Sequence, residues 1–166
     1  VAVSSRLFAD GSPALYDIKN YLQVQVENRS TQSQQVKVYL VVRSFGAAGG
    51  QVHSLALRDD TLLINGKPLI YLGDRRGRFG ALSYSADQSD ISTCLCGGVL
   101  PSTAEVMDDS GWASGALEYN ITLAAGASRS FDFACHVHAE HWMLNWIQPP
   151  AQVDYAAAEA DFLGRY

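Results

Sequence analysis

Cys135-His136-Val137-His138-Ala139-Glu140-His141 is the densest run of potential metal ligands in the chain. On a strand, His136 and His138 share one face, opposite Phe133 and Val137. Two imidazoles at i and i+2 can reach one ion, and His141 or Glu140 can supply a third ligand. No CxxC or HExxH motif accompanies the run. The plainer reading is a polar strand face entering a turn, so we expect no metal and no other cofactor, with His136, His138 and His141 as the residues to test.

Carboxylates are plentiful and include Asp59, Asp60, Asp108, Asp109, Glu118 and Glu140. Glycoside hydrolysis needs two of them across the scissile bond, roughly 5–10 Å apart. Order along the chain does not give that separation, and adjacent pairs such as Asp108-Asp109 are commonly turn formers. A nucleophilic serine would need a GxSxG elbow, and phosphate chemistry a GxGxxG or Walker loop; none occurs. Cys135 precedes His136 but points to the opposite strand face, which argues against a thiolate–imidazole pair. We therefore expect no catalytic residue in this chain.

The aromatics are more informative. Trp112 lies in a Gly- and Ser-rich loop, and Trp142 and Trp146 sit four apart near the end of the strand-rich region. An exposed indole can stack on the C–H face of a sugar ring, which makes Trp112, Trp142 and Trp146 the candidate carbohydrate-binding residues. The plainer alternative is that Trp142 and Trp146 anchor the closing segment in a core or an interdomain seam.

These residues are carried by 166 residues, a length that suits one domain. Apolar residues make up 48% and charged residues 17%, so folding should rest on burial more than on surface charge. The net charge is −5, and Arg75, Arg76 and Arg78 form the densest basic patch, which reads as solvated surface. Nucleic acid is thus an unfavourable partner, because phosphate binding needs clustered cations. No apolar run approaches the ~20 residues of a bilayer span. No apolar segment of signal-peptide type follows Val1–Ser5, and the compartment is left open. Cys94, Cys96 and Cys135 are an odd set and read as reduced thiols. Asn28-Arg29-Ser30 and Asn120-Ile121-Thr122 match the glycosylation sequon.

Strand signals dominate. Leu22, Val24 and Val26 alternate with polar residues, and after a polar turn at 28–33 Val36, Val38, Leu40 and Val42 alternate again. The two runs are expected to pair antiparallel. A strand over Val52–Leu57 and a turn at Asp59-Asp60 follow. Asn65-Gly66, between Leu62–Ile64 and Leu69–Tyr71, predicts a type I′ hairpin. Short strands are expected at Ala81–Tyr84 and Thr93–Cys96, so that Cys94 and Cys96 would point the same way. Leu117, Tyr119, Ile121 and Leu123 predict one strand; Phe131, Phe133, Cys135 and Val137 predict another. After Pro149-Pro150, the residues Val153, Ala156, Ala157, Ala160 and Leu163 recur at helical spacing. The fold class expected is all-β, an antiparallel β-sandwich over residues 1–148, followed by a linker and short C-terminal α-helix over 149–166.

The strand pair Leu22–Asn28 and Val36–Arg43, with the Asn-Gly-Lys-Pro hairpin within Leu62–Leu72, resembles the supersandwich-type domains of bacterial six-hairpin glycosidases and glycogen-debranching-enzyme-like proteins. In those proteins a β-sandwich precedes an (α/α) barrel that holds the catalytic acids, and the segment after Pro149-Pro150 resembles the linker helix between them. The resemblance implies a non-catalytic accessory domain that scaffolds a neighbouring catalytic domain or another chain and contacts carbohydrate. It transfers no functional residue. The alternatives are a stand-alone carbohydrate-binding module, an immunoglobulin-like protein-interaction domain with an exposed strand edge, and a metal-dependent enzyme built on the histidines.

Overall fold

Alternation of apolar and polar residues governs most of the chain. In the computed structural model, which describes residues 1–12, 17–44, 50–136 and 153–165, strands β1 (Ala2–Ser12), β2 (Asp17–Glu27), β3 (Gln34–Arg43), β4 (Ser54–Arg58), β5 (Thr61–Ile64), β6 (Lys67–Leu72) and β7 (Arg78–Leu82) come first. Helices α1 (Tyr84–Asp87) and α2 (Ile91–Cys96) follow, then β8 (Glu105–Met107), β9 (Ser114–Leu123), β10 (Ser128–His136) and α3 (Tyr155–Arg165). Mostly antiparallel strands form two sheets, ordered β1-β2-β10-β6-β5-β4-β8 and β3-β9-β7. The fold is an all-β antiparallel sandwich with a short C-terminal helix. The chain divides into two compact units, one of residues Val1–Gln35, Leu69–Arg75 and Thr122–Tyr166, the other of Val36–Pro68 and Arg76–Ile121.

In the first unit β2 lies between β1 and β10, with Leu22 opposite both Leu7 and Phe133. Val26, Phe131 and Phe133 are buried, and full burial of side chains this size stabilises by ~1.5–3 kcal/mol each. The expected pairing of the 22–27 run with the 36–42 run does not form: β2 pairs with β1 and β10, and β3 belongs to the other sheet. The polar turn between them is a built corner rather than a hairpin. Asn28 is fully buried. Its amide donates to the carbonyls of Gln32 (2.7 Å), Leu123 (3.0 Å) and Ala124 (3.0 Å), and its Oδ1 accepts from the Ser30 N–H and hydroxyl.

Two strands lie outside those expected, the three-residue β8 and the long β1. The two faces of β1 mix polar and apolar residues, so no clean period of two stands out. One face carries Phe8, which stacks on Tyr21 at 5.2 Å. Helix α3 covers that pair, with Tyr155 edge-on to Phe8 at 5.1 Å and Phe162 at 5.5 Å. Asp154 starts the helix by accepting from the Ala157 N–H, and Arg165 ion-pairs with Asp10. The helical spacing read from sequence is correct, and the helix docks by its aromatics: Tyr155 is buried, whereas Ala156, Ala157, Ala160 and Leu163 are exposed. Aromatic area outweighs alanine area when a helix this short must dock to persist.

In the second unit the Asn-Gly hairpin forms as expected, with φ of 54° at Asn65 and 72° at Gly66. Asn65 also clamps the preceding segment, accepting from the N–H groups of His53 and Ser54 and donating to the Gln51 carbonyl. The strand expected at Ala81–Tyr84 is shifted to Arg78–Leu82, and Tyr84 opens α1. The strand expected at Thr93–Cys96 is helix α2. Asp90 precedes it and accepts from the N–H groups of Ser92 (2.8 Å) and Thr93 (3.2 Å), an N-cap that outweighs the β-propensity of Ile91 and Thr93. Cys94 and Cys96 therefore do not share a face; both are free, as is Cys135.

Asn28→Ala removes the amide that three carbonyls and two Ser30 donors share, leaving Gln32 and Leu123 the Ser30 and Ser33 hydroxyls as their remaining side-chain donors. A loss of about 3 kcal/mol is expected, read as a lower urea midpoint; a variant as stable as the parent chain would show that the corner is held by something else.

Candidate functional site

The second unit presents an open groove of about 450 Å3 lined by Arg43, Ser44, Tyr84, Asp90, Trp112 and Ser114. Trp112 is 46% exposed and Tyr84 is 44% exposed. Two half-exposed rings on one groove are unusual, because solvent exposure of aromatic area is unfavourable unless a ligand or partner uses it. Neither ring sits on a long element. Tyr84 opens the four-residue α1, and Trp112 lies in the loop between β8 and β9.

What ties together the backbone segments that carry the two rings is Asp108, which is buried. One carboxylate oxygen accepts from the Ser83 hydroxyl (2.9 Å), the Ser85 N–H (2.8 Å) and the Ser85 hydroxyl (3.2 Å). The other accepts from the Ser110 hydroxyl and the Trp112 N–H (3.3 Å). The donors on one oxygen flank Tyr84, and a donor on the other is Trp112 itself. One side chain thus ties the two aromatic segments together. Burial alone would raise its pKa, but the hydrogen bonds from Ser110, Ser85, Ser83 and Trp112 outweigh burial and hold the carboxyl well below the usual carboxylate range. The Trp112 backbone is further held by a parallel bridge to Val52, in which Val52 donates to Gly111 and Ala113 donates to Val52, both at 2.9 Å. Gly111 has φ of 77°, and a Cβ there would meet Gln51 at 2.8 Å, so the turn that aims Trp112 needs glycine.

The rest of the described lining is polar. Arg43 ends β3, and its guanidinium donates to the Ser92 hydroxyl (3.0 Å) and reaches Asp90 (3.5 Å). Asp90 caps α2 through its other oxygen. The floor residue Ser114 accepts from the Ile91 N–H at 2.9 Å, which seats α2 against the start of β9.

A second buried carboxylate, Glu118, lies on β9 about 13 Å from Ser114 by strand rise. It accepts from Tyr39 (2.9 Å), Asn120 (2.8 Å) and Arg78, with Lys37 at 3.4 Å. Here too burial would raise the pKa, but the bonds from Arg78, Tyr39, Asn120 and Lys37 lower it to about 2. A glycosidic general acid needs the opposite shift. Both buried carboxylates are therefore built as permanent anions that organise backbone and neighbouring strands. Asp59, with φ of 52°, is a turn former as its pairing with Asp60 implied.

Of the residues singled out from sequence, Trp112 lines the groove. Trp142, Trp146, His138 and His141, together with Glu140 and Pro149-Pro150, lie outside the described residues. His136 is buried and meets Tyr71 edge-on at 5.3 Å. Among the described residues no group of His, Cys, Asp and Glu could hold a metal ion, and no described helix is long and apolar enough to cross a membrane. Sequence reasoning missed Tyr84, Arg43 and Asp90. The available signal was Asp90-Ile91-Ser92, a helix start whose cap residue doubles as groove wall. Comparison with protein-family models and with curated proteins finds no match to this chain.

Two outcomes follow from the carboxylates. Asp108→Ala is expected to cost about 3 kcal/mol, since several buried donors lose their acceptor, and to loosen Trp112, read as faster depolarisation of its fluorescence; unchanged stability and anisotropy would refute the tie. The folded pKa of Glu118 is depressed, so its stabilising contribution is full above the ordinary value of 4.5 and is lost as the pH falls toward about 2. Glu118→Gln should flatten that limb of the stability–pH curve, and a limb of unchanged slope would contradict this.

Proposed function

We propose that the chain is a non-catalytic accessory β-sandwich domain of a glycoside-hydrolase-like protein, and that it contacts carbohydrate at the Trp112 groove. The observation that carries this reading is the pair of half-exposed rings, Trp112 and Tyr84, held in place from behind by one buried carboxylate. Preorganised aromatics lose little freedom on binding, which is what a weakly adhesive, flat ligand such as a sugar ring requires. The polar lining residues Arg43 and Asp90 supply hydrogen bonds to hydroxyls. The Asn-Gly hairpin that resembles supersandwich domains supports the accessory role by analogy of fold, with a neighbouring catalytic domain as the partner; the 22–28 and 36–43 runs lend no such support, since they lie in different sheets.

A second reading, a protein-interaction module, is favoured by β1. It is the terminal strand of its sheet, and Val3 and Leu7 on it are 68% and 67% exposed. A long edge strand with outward apolar residues is a template for another chain. Concentration-dependent self-association in sedimentation, abolished by Leu7→Lys, would favour it.

The carbohydrate reading is tested by titrating oligosaccharides into the chain. Binding should fall at least about tenfold in Trp112→Ala with the urea midpoint little changed, and the chain should release no reducing sugar from α- or β-glucans. Turnover of a glucan, or binding indifferent to Trp112, would overturn the proposal.

A further inference from the structure

We infer that the groove selects neutral sugars with adjacent hydroxyls and rejects uronic acids, with Arg43 and Asp90 as the specificity-determining pair. This rests on the carbohydrate reading above and narrows it to a substrate class.

Beside the aromatic rings, the described lining of the groove holds one cation and one anion 3.5 Å apart, so their charges cancel locally. Both side chains are about two-fifths exposed, at 41% and 39%, and both line the groove. Together they offer donors and an acceptor side by side. A vicinal diol needs that combination, since each hydroxyl both donates and accepts. A uronate carboxylate is an acceptor only. To use Arg43 it must share the guanidinium with Asp90 and lie a few ångströms from that carboxylate.

Asp90 cannot swing away to relieve the repulsion. Its Oδ1 accepts from the Ser92 and Thr93 N–H groups at 2.8 and 3.2 Å, and these bonds start helix α2. Arg43 is held likewise by the Ser92 hydroxyl at 3.0 Å. Among the described residues neither Lys nor His lines the groove to offset a second anion. The same cap that folds α2 therefore fixes a negative charge in the wall. Like charges juxtaposed in a binding site act against the wrong ligand.

Asparagine caps helices about as well as aspartate, so Asp90→Asn removes the charge and keeps the helix start. The test is calorimetric titration of the 166-residue chain at low salt, with maltotetraose, cellotetraose and mannotetraose as neutral probes and tetragalacturonate and tetraguluronate as acidic ones, guided by an array holding both classes. At least one neutral sugar should bind, with the acidic ones at least about tenfold weaker. In Asp90→Asn the gap should close, and in Arg43→Gln neutral binding should weaken; circular dichroism and urea midpoints check that both variants fold. Uronates that bind the parent chain as tightly as neutral sugars, or a gap unchanged in Asp90→Asn, would overturn the selectivity and leave the carbohydrate reading standing. Silence of the array toward both classes would overturn the carbohydrate reading and this inference with it.

Discussion

An ionised carboxylate buried without donors is so costly that Asp108 constrains everything around it. The second unit meets that requirement with two loops and the first turn of a very short helix. Ser83 and Ser85 come from one side of the site, Ser110 and the Trp112 backbone from the other. Each segment is short, and besides its own turn bonds and the Val52 bridge it shares this one acceptor with the other. The anion substitutes for regular secondary structure, and the aromatic rings inherit their positions from it.

The same device recurs with different chemistry. Asn28 organises the corner after β2 through a neutral amide that donates and accepts at once. Glu118 joins β3, β9 and β7 by gathering Tyr39, Lys37 and Arg78 around one charge. Each of these side chains is almost fully buried and fully engaged, the condition under which a buried polar group specifies one arrangement instead of weakening the core. Apolar alternation decides which residues go inside. These three groups decide how the chain turns between its strands.

That division explains what could be read from the sequence. The strand-rich character, the Asn-Gly hairpin, the strands around Leu117–Leu123 and Phe131–Cys135, and the terminal helix all follow from local periodicity or turn chemistry. Pairing does not. Val24 and Val38 alternate alike, yet they belong to different sheets, because a buried amide four residues past Val24 redirects the chain. Helix α2 was hidden because Ile91 and Thr93 favour strands, whereas the residue that decides, Asp90, lies before them. Trp112 was legible as an aromatic in a loop. Its companion Tyr84 was not, since the two are brought together by Asp108, a residue that in sequence looks like half of an ordinary Asp-Asp turn. In α3 likewise periodicity gives the spacing, but Phe8 and Tyr21 on the strands beneath determine which side docks on them.

The buried Asn28 also bears on how the protein can be made. Asn28-Arg29-Ser30 is a sequon whose amide nitrogen is committed to three carbonyls in the folded chain. N-glycosylation would place a bulky, water-seeking group on that nitrogen, at a position with no solvent access. In a eukaryotic secretory host the oligosaccharyl transferase and the forming corner compete for one atom, and chains modified first are diverted from this fold. The exposed second sequon at Asn120 carries no such conflict of access. A cytoplasmic host without that enzyme, or replacement of Ser30 by a residue the transferase ignores, removes the competition at its source.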